Sequence, residues 1–473
     1  MRRFIILGGG FTGAATAIQL ARHATDPLDI CIVEPRETVG GGIAYGGNDP
    51  DHRVNGTHEL LILFPEDLGH FARWYAADRG LERDPEAFWP ATGVTFVRRS
   101  DVRRYLGGMV AELARENPSG SRIRHQRGRA VAVARQTKGL KVTLEDGLVL
   151  DADTLVLAAA GQSPSVPRGV SAKAAGAPGF IADPLRSGAL DGPDRDASVL
   201  LVGTGLTAAD VIASLARRGH RGPICAISRR GLRPQPQGAA PDIAKLVERL
   251  ARPMPRFLER HGSKLTLMQT YRALRADLAL AEAQGGDAKS AFDDVRDAAA
   301  RLWPGYSLEE QGRFLRHLKP WYDVYRYRMV PQTGAVLDHL ESTGQLTFRR
   351  SRFLRADLDG SEFVVTMSGG SEGDWTERFD AIVLCTGPRT LDHSPLFASL
   401  QEAGIARPDL LGLGIEVDAE NRVHDRDGRP QDDVFAYGLL TRGAFGDMTA
   451  IPQIAFRLNA TIPALLRRRP VRF

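Results

Sequence analysis

Two short glycine-rich stretches have the residue types and spacing of phosphate-binding turns. The first, Gly8-Gly9-Gly10-Phe11-Thr12-Gly13, is a complete G-x-G-x-x-G. Glycines there let the backbone turn tightly and approach a pyrophosphate, and a helix starting at the turn offers free amides and a positive dipole end. The next apolar run ends in Glu34 and Pro35, and a carboxylate at that position accepts hydrogen bonds from a ribose 2′-hydroxyl. The second stretch, Gly203-Thr204-Gly205-Leu206-Thr207-Ala208, carries alanine in place of the third glycine. Its following apolar run ends in Ser228-Arg229-Arg230 instead of an acid. Hydroxyl and guanidinium groups suit a 2′-phosphate that a carboxylate would repel, so this turn is expected to prefer NADPH to NADH.

The elements that must position these residues follow in the order that makes such turns informative. "FIIL", the glycines, "AATAIQLARHA" and "DICIVE" read as strand, turn, helix and strand, and "ASVLLV", the second turn, "ADVIASLARRG" and "PICAIS" repeat that order. Each unit is then followed by a strand–turn–strand piece and a further apolar strand, the first ending at Ala160-Gly161 and the second at Gly387. The repetition predicts an α/β fold with two Rossmann-like dinucleotide-binding domains, each with a β-meander. From about residue 240 to 331, helix formers recur at 3.6 spacing, which predicts a helical insertion interrupting the second unit. The expected division is 1–165 and 381–473 for the first domain and 166–380, with the insertion, for the second.

The layout resembles the two-dinucleotide flavoproteins of the glutathione-reductase fold class. That resemblance implies FAD in the first unit, NADPH in the second, and a C-terminal segment returning to the FAD domain. It places Val131 near the adenine and the strand ends Ala160, Gly161 and Gly387 beside the cofactors. "YGLLTRGAFGDMTAIPQIA" resembles the late flavin motif of the class, with Gly438 and Asp447 sharing the roles of a Gly-Asp pair and Thr449, Ala450 and Ile451 opening a helix toward the flavin ring. The stretches "GGGFTGAATAIQL", "VEPRETVGGGIAYG", "VGTGLTAADVIASLARRGHRGPICAISRRGLRPQ" and "RFLRHLKPWYDVYRYRMVP" resemble a narrower group, bacterial FAD/NAD(P)-binding proteins related to flavin N-hydroxylating monooxygenases. On this resemblance Gly41 and Gly42 let the backbone pass near the ribityl chain, and Tyr45 and Asn55 face flavin or substrate. Arg316, His317, Arg326 and Arg328 would form a cationic substrate wall, or the aromatics around them pack the insertion onto its domain with the charges in solvent; the second reading is preferred, and His317 is read as structural.

The rest of the sequence narrows the chemistry. The three cysteines, Cys31, Cys225 and Cys385, lie far apart in apolar runs, which argues against a redox dithiol. Zinc-ligand spacing, nucleic-acid motifs and membrane-length apolar runs are not found, and a formal charge of +5 over 473 residues is a mild excess. A cytoplasmic protein without metal, nucleic-acid or membrane partner is therefore expected; its oligomeric state is open. The leading expectation is an NADPH-dependent FAD monooxygenase that forms a C4a-(hydro)peroxyflavin with O2 and oxygenates a small amine or amino acid. The alternatives are an NADPH-dependent reductase serving a quinone, small molecule or partner protein, and a flavin-bound redox sensor without enzymatic activity. No catalytic residue is assigned from sequence.

Overall fold

The computed structural model describes residues 1–159, 166–237, 248–249, 252, 254–285, 288–370, 373–387 and 394–468. Its largest sheet is built on the strand Arg2–Leu7, which pairs in parallel with Leu28–Glu34 on one side and Thr154–Leu157 on the other. Arg122–Arg127 extends the sheet beyond Leu28–Glu34, and Pro430–Ala436 returns from late in the chain to pair in parallel with Thr154–Leu157. A short antiparallel strand, Arg422–His424, ends that edge. Parallel pairing requires a crossover, and the helix Phe11–His23 supplies the first one.

The central strands Arg2–Leu7, Leu28–Glu34 and Thr154–Leu157 are largely apolar because both faces of the sheet are covered there. Phe4, Ile6, Ile30 and Ile32 pack beneath the helices Phe11–His23 and Ile451–Arg467. The alternate residues Ile5, Leu7, Cys31 and Val33 face the antiparallel meander of Ala130–Arg135, Leu140–Leu144 and Val149–Ala152. The second unit repeats this plan. Its sheet runs Phe180–Ile181, Ala381–Leu384, Val199–Val202, Ile224–Ser228 and Leu346–Arg350, all parallel, with Leu206–Arg217 as crossover. A second meander, Arg352–Asp359, Glu362–Ser368 and Asp374–Phe379, covers one face.

Between Ile224–Ser228 and Leu346–Arg350 the chain becomes helical: Arg256–His261, Leu267–Ala283, Ala288–Leu302, Leu308–Arg313 and Lys319–Arg326 precede Pro331–Ser342. Pro331–Ser342 packs on the second sheet through Leu337 and Leu340, whereas the earlier helices close around a core of their own that includes Phe257, Leu302, Trp303 and Tyr306. That core also touches Leu411 and Leu413 of the C-terminal segment, so the helical region bridges the two units. No helix among the described residues is long and apolar enough to cross a membrane.

The two units are joined by ion pairs gathered on the helix Leu206–Arg217. Arg99 donates to Asp210 at 2.6 Å, with side chains 14% and 5% exposed. Arg217 donates to both oxygens of Asp51 at 2.8 Å, and Ser214 Oγ lies 3.3 Å from His52 Nε2. Burial raises the Asp210 carboxyl above the usual carboxylate range even with Arg99 beside it. Removing one member of a buried pair strands the other charge. Arg99→Met is therefore expected to destabilise the protein by about 3–5 kcal/mol, and Arg99→Met with Asp210→Leu to recover most of that loss in urea unfolding.

Candidate functional site

The first turn lies at the carboxyl end of Arg2–Leu7, where open parallel sheets bind their ligands. Gly8 has φ +103°, and a Cβ there would sit 2.8 Å from the Ala158 carbonyl. A Cβ on Gly13 would meet the Gly8 carbonyl at 1.8 Å, so only glycine lets this helix approach its strand. Phe11 is buried, while Thr12 and Pro35 are half-buried at the turn and at the end of the second strand. Glu34 is 3% exposed and already oriented: one carboxylate oxygen accepts the Gly9 amide at 2.8 Å, and the other accepts the Arg36 amide and guanidinium.

The loop at 40–46 folds directly over this turn. The Gly40 amide donates to the Gly9 carbonyl at 2.7 Å, and Gly42, at φ +52°, would place a Cβ 2.8 Å from the Gly10 Cα. Gly41 is buried under Arg103, which donates to the Gly46 carbonyl at 2.7 Å. Tyr45 is half-buried in the short helix that follows, where desolvation pushes its phenol up to about 12. Asn55 is also half-buried, and its carbonyl accepts from Gln237 of the second unit. Val131 stands at an irregularity in the pairing of its meander strand. Ala160 and Gly161 lie outside the described residues.

The second turn has the same geometry with different side chains. Gly203 has φ +118°, and a Cβ there would meet the Cys385 carbonyl at 2.4 Å. A Cβ on Gly205 or Gly387 would meet no atom within 4 Å, so this turn faces open space. The Thr204 hydroxyl sits 2.8 Å from Ser228 Oγ and also bonds the Leu232 carbonyl. The Thr204 proton points at both acceptors, the Ser228 hydroxyl oxygen and the Leu232 carbonyl. Ser228 Oγ also accepts the Gly231 amide at 3.0 Å, so its work is to shape the turn. Arg229 and Arg230 remain exposed; Arg230 stands over the Trp321 ring at 5.8 Å, and Arg229 has no partner among the described residues. Leu206 and Thr207 open a helix with no side-chain cap and no acid in its first turn.

The C-terminal segment divides its candidate residues between two places. Gly438, at φ +70°, abuts the first turn, where a Cβ would lie 2.5 Å from Thr12 Oγ1. Asp447 turns toward the helical region instead. It accepts from Arg326 at 2.6 Å, from Thr449 at 2.6 Å and from Tyr327 at 3.2 Å. Burial alone would raise its carboxyl, but Arg326 and these hydrogen bonds outweigh burial and hold it below the usual range. Ala450 then caps Ile451–Arg467 without a side-chain hydrogen bond, leaving the helix amides free.

Beside Asp447 and Thr449 opens a cavity of about 880 Å³ walled by the helical region, including Leu274, Phe292, Trp303, Phe314 and Tyr322. Trp303 anchors this wall by donating to the Gly443 carbonyl at 2.8 Å. A π-helical turn, Phe314–Leu318, runs directly into Pro320, which has no amide proton to donate; it turns Phe314, Leu315 and Leu318 to the cavity. None of the four cationic candidates lines the cavity; Arg326 comes nearest, through its pair with Asp447. Arg328 pairs with Asp293, and Arg316 and His317 are exposed on the outside. The aromatics therefore both pack the insertion and line a void, and the missed signal was the apolar stripe of Leu267–Ala283.

Residues 5–162 match the model of a family described as FAD-NAD(P)-binding. Among curated proteins no sequence matches this chain. Solved structures align over nearly its whole length. The ornithine N-hydroxylase of Kutzneria sp. 744, with reduced FAD, NADP+ and L-ornithine, has a TM-score of 0.64 at 15% identity and covers 98% of this chain and 99% of its own. Ornithine hydroxylase from Pseudomonas aeruginosa gives the same score and identity, covering 99% of each chain. The FAD-bound cadaverine monooxygenase of Erwinia amylovora scores 0.59 at 14% identity, covering 99% of this chain and 96% of its own. The chain thus has the fold of these proteins, and its own two glycine turns have the geometry of dinucleotide-binding turns.

The contact between Gly42 and Gly10 gives a direct test of the first turn. Gly42→Val is expected to lift the loop and lower flavin retained on purification at least tenfold, judged by absorbance per protein. Gly93→Ala, at φ +67° with open space around it, is expected to retain its flavin and so controls for backbone strain alone.

Proposed function

We propose that this chain is an NADPH-dependent FAD monooxygenase that oxygenates the nitrogen of an amine, with O2 as co-substrate, and that it works in the cytoplasm. The observation that carries the reading is the cavity ending at Asp447 and Thr449, just ahead of the uncapped start of Ile451–Arg467. In this reading Glu34 holds the adenosine ribose, the helix start after Gly10 faces the pyrophosphate, with Gly8 and Gly13 allowing the close approach, and Ala450 and Ile451 direct free amides toward the flavin ring. Arg229 and Arg230 hold the 2′-phosphate of NADPH. Bound FAD would supply hydride acceptance and the activation of O2. The chain supplies position, charge and exclusion of water.

Two features favour oxygenation over passing electrons through thiols. Burial raises all three cysteine thiols, Cys225 up to about 11, and the three stand in different strands or strand ends. The cavity walls are apolar, and a low-dielectric site favours the neutral amine, the form with a free nitrogen lone pair. Asp447 does not oppose this, since its charge is matched by Arg326 and its oxygens accept from Tyr327 and Thr449.

The test is coupled stoichiometry. NADPH oxidation, O2 uptake and hydroxylated amine, corrected for peroxide, should agree one to one to one. NADPH oxidation that proceeds with an artificial acceptor under nitrogen while no amine is oxygenated would overturn the reading. Arg229→Ala with Arg230→Ala is expected to raise KM for NADPH at least tenfold and leave KM for NADH within about twofold, since only the 2′-phosphate contact is lost.

A further inference from the structure

We infer that the cavity takes an amine carried on a long or aromatic apolar body, rather than a free diamino acid. This rests on the nitrogen-oxygenating reading above and adds the class of substrate. Three observations carry it. The first is size: pockets for drug-sized ligands span roughly 300–1,000 Å³, and this one, at about 880 Å³, falls in the upper part of that range.

The second is the wall. The helix Leu267–Ala283 turns Leu267, Leu274 and Leu278 toward the cavity, yet only Thr270 on this helix is fully buried. An apolar stripe at helical spacing ordinarily packs against protein. Here it faces a space whose far side is Phe314, Leu318 and Tyr322. Phe292 and Tyr325, stacked at 4.2 Å and 7° between planes, close another side.

The third is the charge inventory. A free diamino acid presents a carboxylate and an α-ammonium, and both need an uncommitted partner inside the site. Asp447 is committed to Arg326, Asp323 to Lys319, and Arg442 to the carbonyls of Leu439 and Leu413. The lining charges Arg275 and Glu282, without a partner among the described residues, are exposed at the solvent side. Within the walls the Tyr322 hydroxyl is buried and has no hydrogen-bond partner among the described residues. A buried polar group normally has one. One orphan hydroxyl among apolar walls matches one polar group on an apolar ligand.

The experiment is calorimetric titration of the oxidised, FAD-loaded protein with butylamine, hexylamine, octylamine, tryptamine and ornithine. The alkylamines share one head group, so their slope reads the walls alone. Affinity is expected to rise about fourfold per methylene, with tryptamine well above ornithine. Leu278→Trp fills the solvent end, near Glu282, and is expected to weaken octylamine at least tenfold while leaving butylamine within about twofold. Tyr322→Phe should weaken all the alkylamines by a similar factor, about fivefold. Flavin retention and unchanged thermal unfolding establish that each variant is folded. A flat alkyl series, or ornithine binding more tightly than octylamine, overturns the inference, and so does Leu278→Trp affecting both ends of the series equally. Amines that bind with the expected slope but elicit no NADPH-dependent O2 uptake would defeat the oxygenase reading while leaving the apolar ligand class standing.

Discussion

The helices Phe11–His23, Leu206–Arg217 and Ile451–Arg467 begin without a side-chain cap and without an acidic residue in the first turn, as do His70–Ala77, Lys319–Arg326 and Pro331–Ser342. The first amides of a helix have no intrahelical partner, and the dipole places positive charge on them. A side-chain cap meets that need where Thr266 opens Leu267–Ala283 and Ser307 opens Leu308–Arg313. Phe11–His23 and Leu206–Arg217 instead start directly at the two glycine turns, and Ile451–Arg467 starts beside the cavity. The glycines at Gly8 and Gly203, the close packing at Gly13 and the fold of the 40–46 loop shape those two turns.

The same constraint explains what was legible in the sequence. Gly13 must be glycine because its Cβ would overlap the Gly8 carbonyl, and Gly203 because of its φ and the Cys385 carbonyl. Local backbone demands of this kind leave a local pattern, so both turns, their helices and the two-sheet plan could be read residue by residue. Glu34 and Ser228 were legible as strand ends for the same reason. The role expected of Ser228 as a phosphate ligand was only half visible, because its hydrogen bonds to Thr204 and Gly231 depend on how the chain folds back.

The cavity could not be read in this way. Its walls come from the stripe of Leu267–Ala283, the π-turn Phe314–Leu318 and the C-terminal loop that holds Arg442 and Thr449, and each fragment taken alone looks like ordinary packing. Leu274 and Leu278 carry the helical period that predicts burial, and nothing in the sequence says that the surface opposite them is empty. Asp447 is a similar case. Beside Gly446 it reads as part of a flavin motif, but Arg326, 121 residues earlier, draws it to the other side of the loop.

That displacement links the two halves of the site. Arg326 closes the helical region and Asp447 belongs to the segment that leads into Ile451–Arg467, so their pair ties the cavity wall to that helix start. With Trp303 bound to the Gly443 carbonyl nearby, the wall is held at both ends of one short loop. The Asp447 carboxylate is held below the usual range, so the tie keeps its charge wherever flavin chemistry would run, and it loosens only as pH falls through that lowered value. The geometry of the cavity mouth is therefore set by the same loop that aims the helix amides.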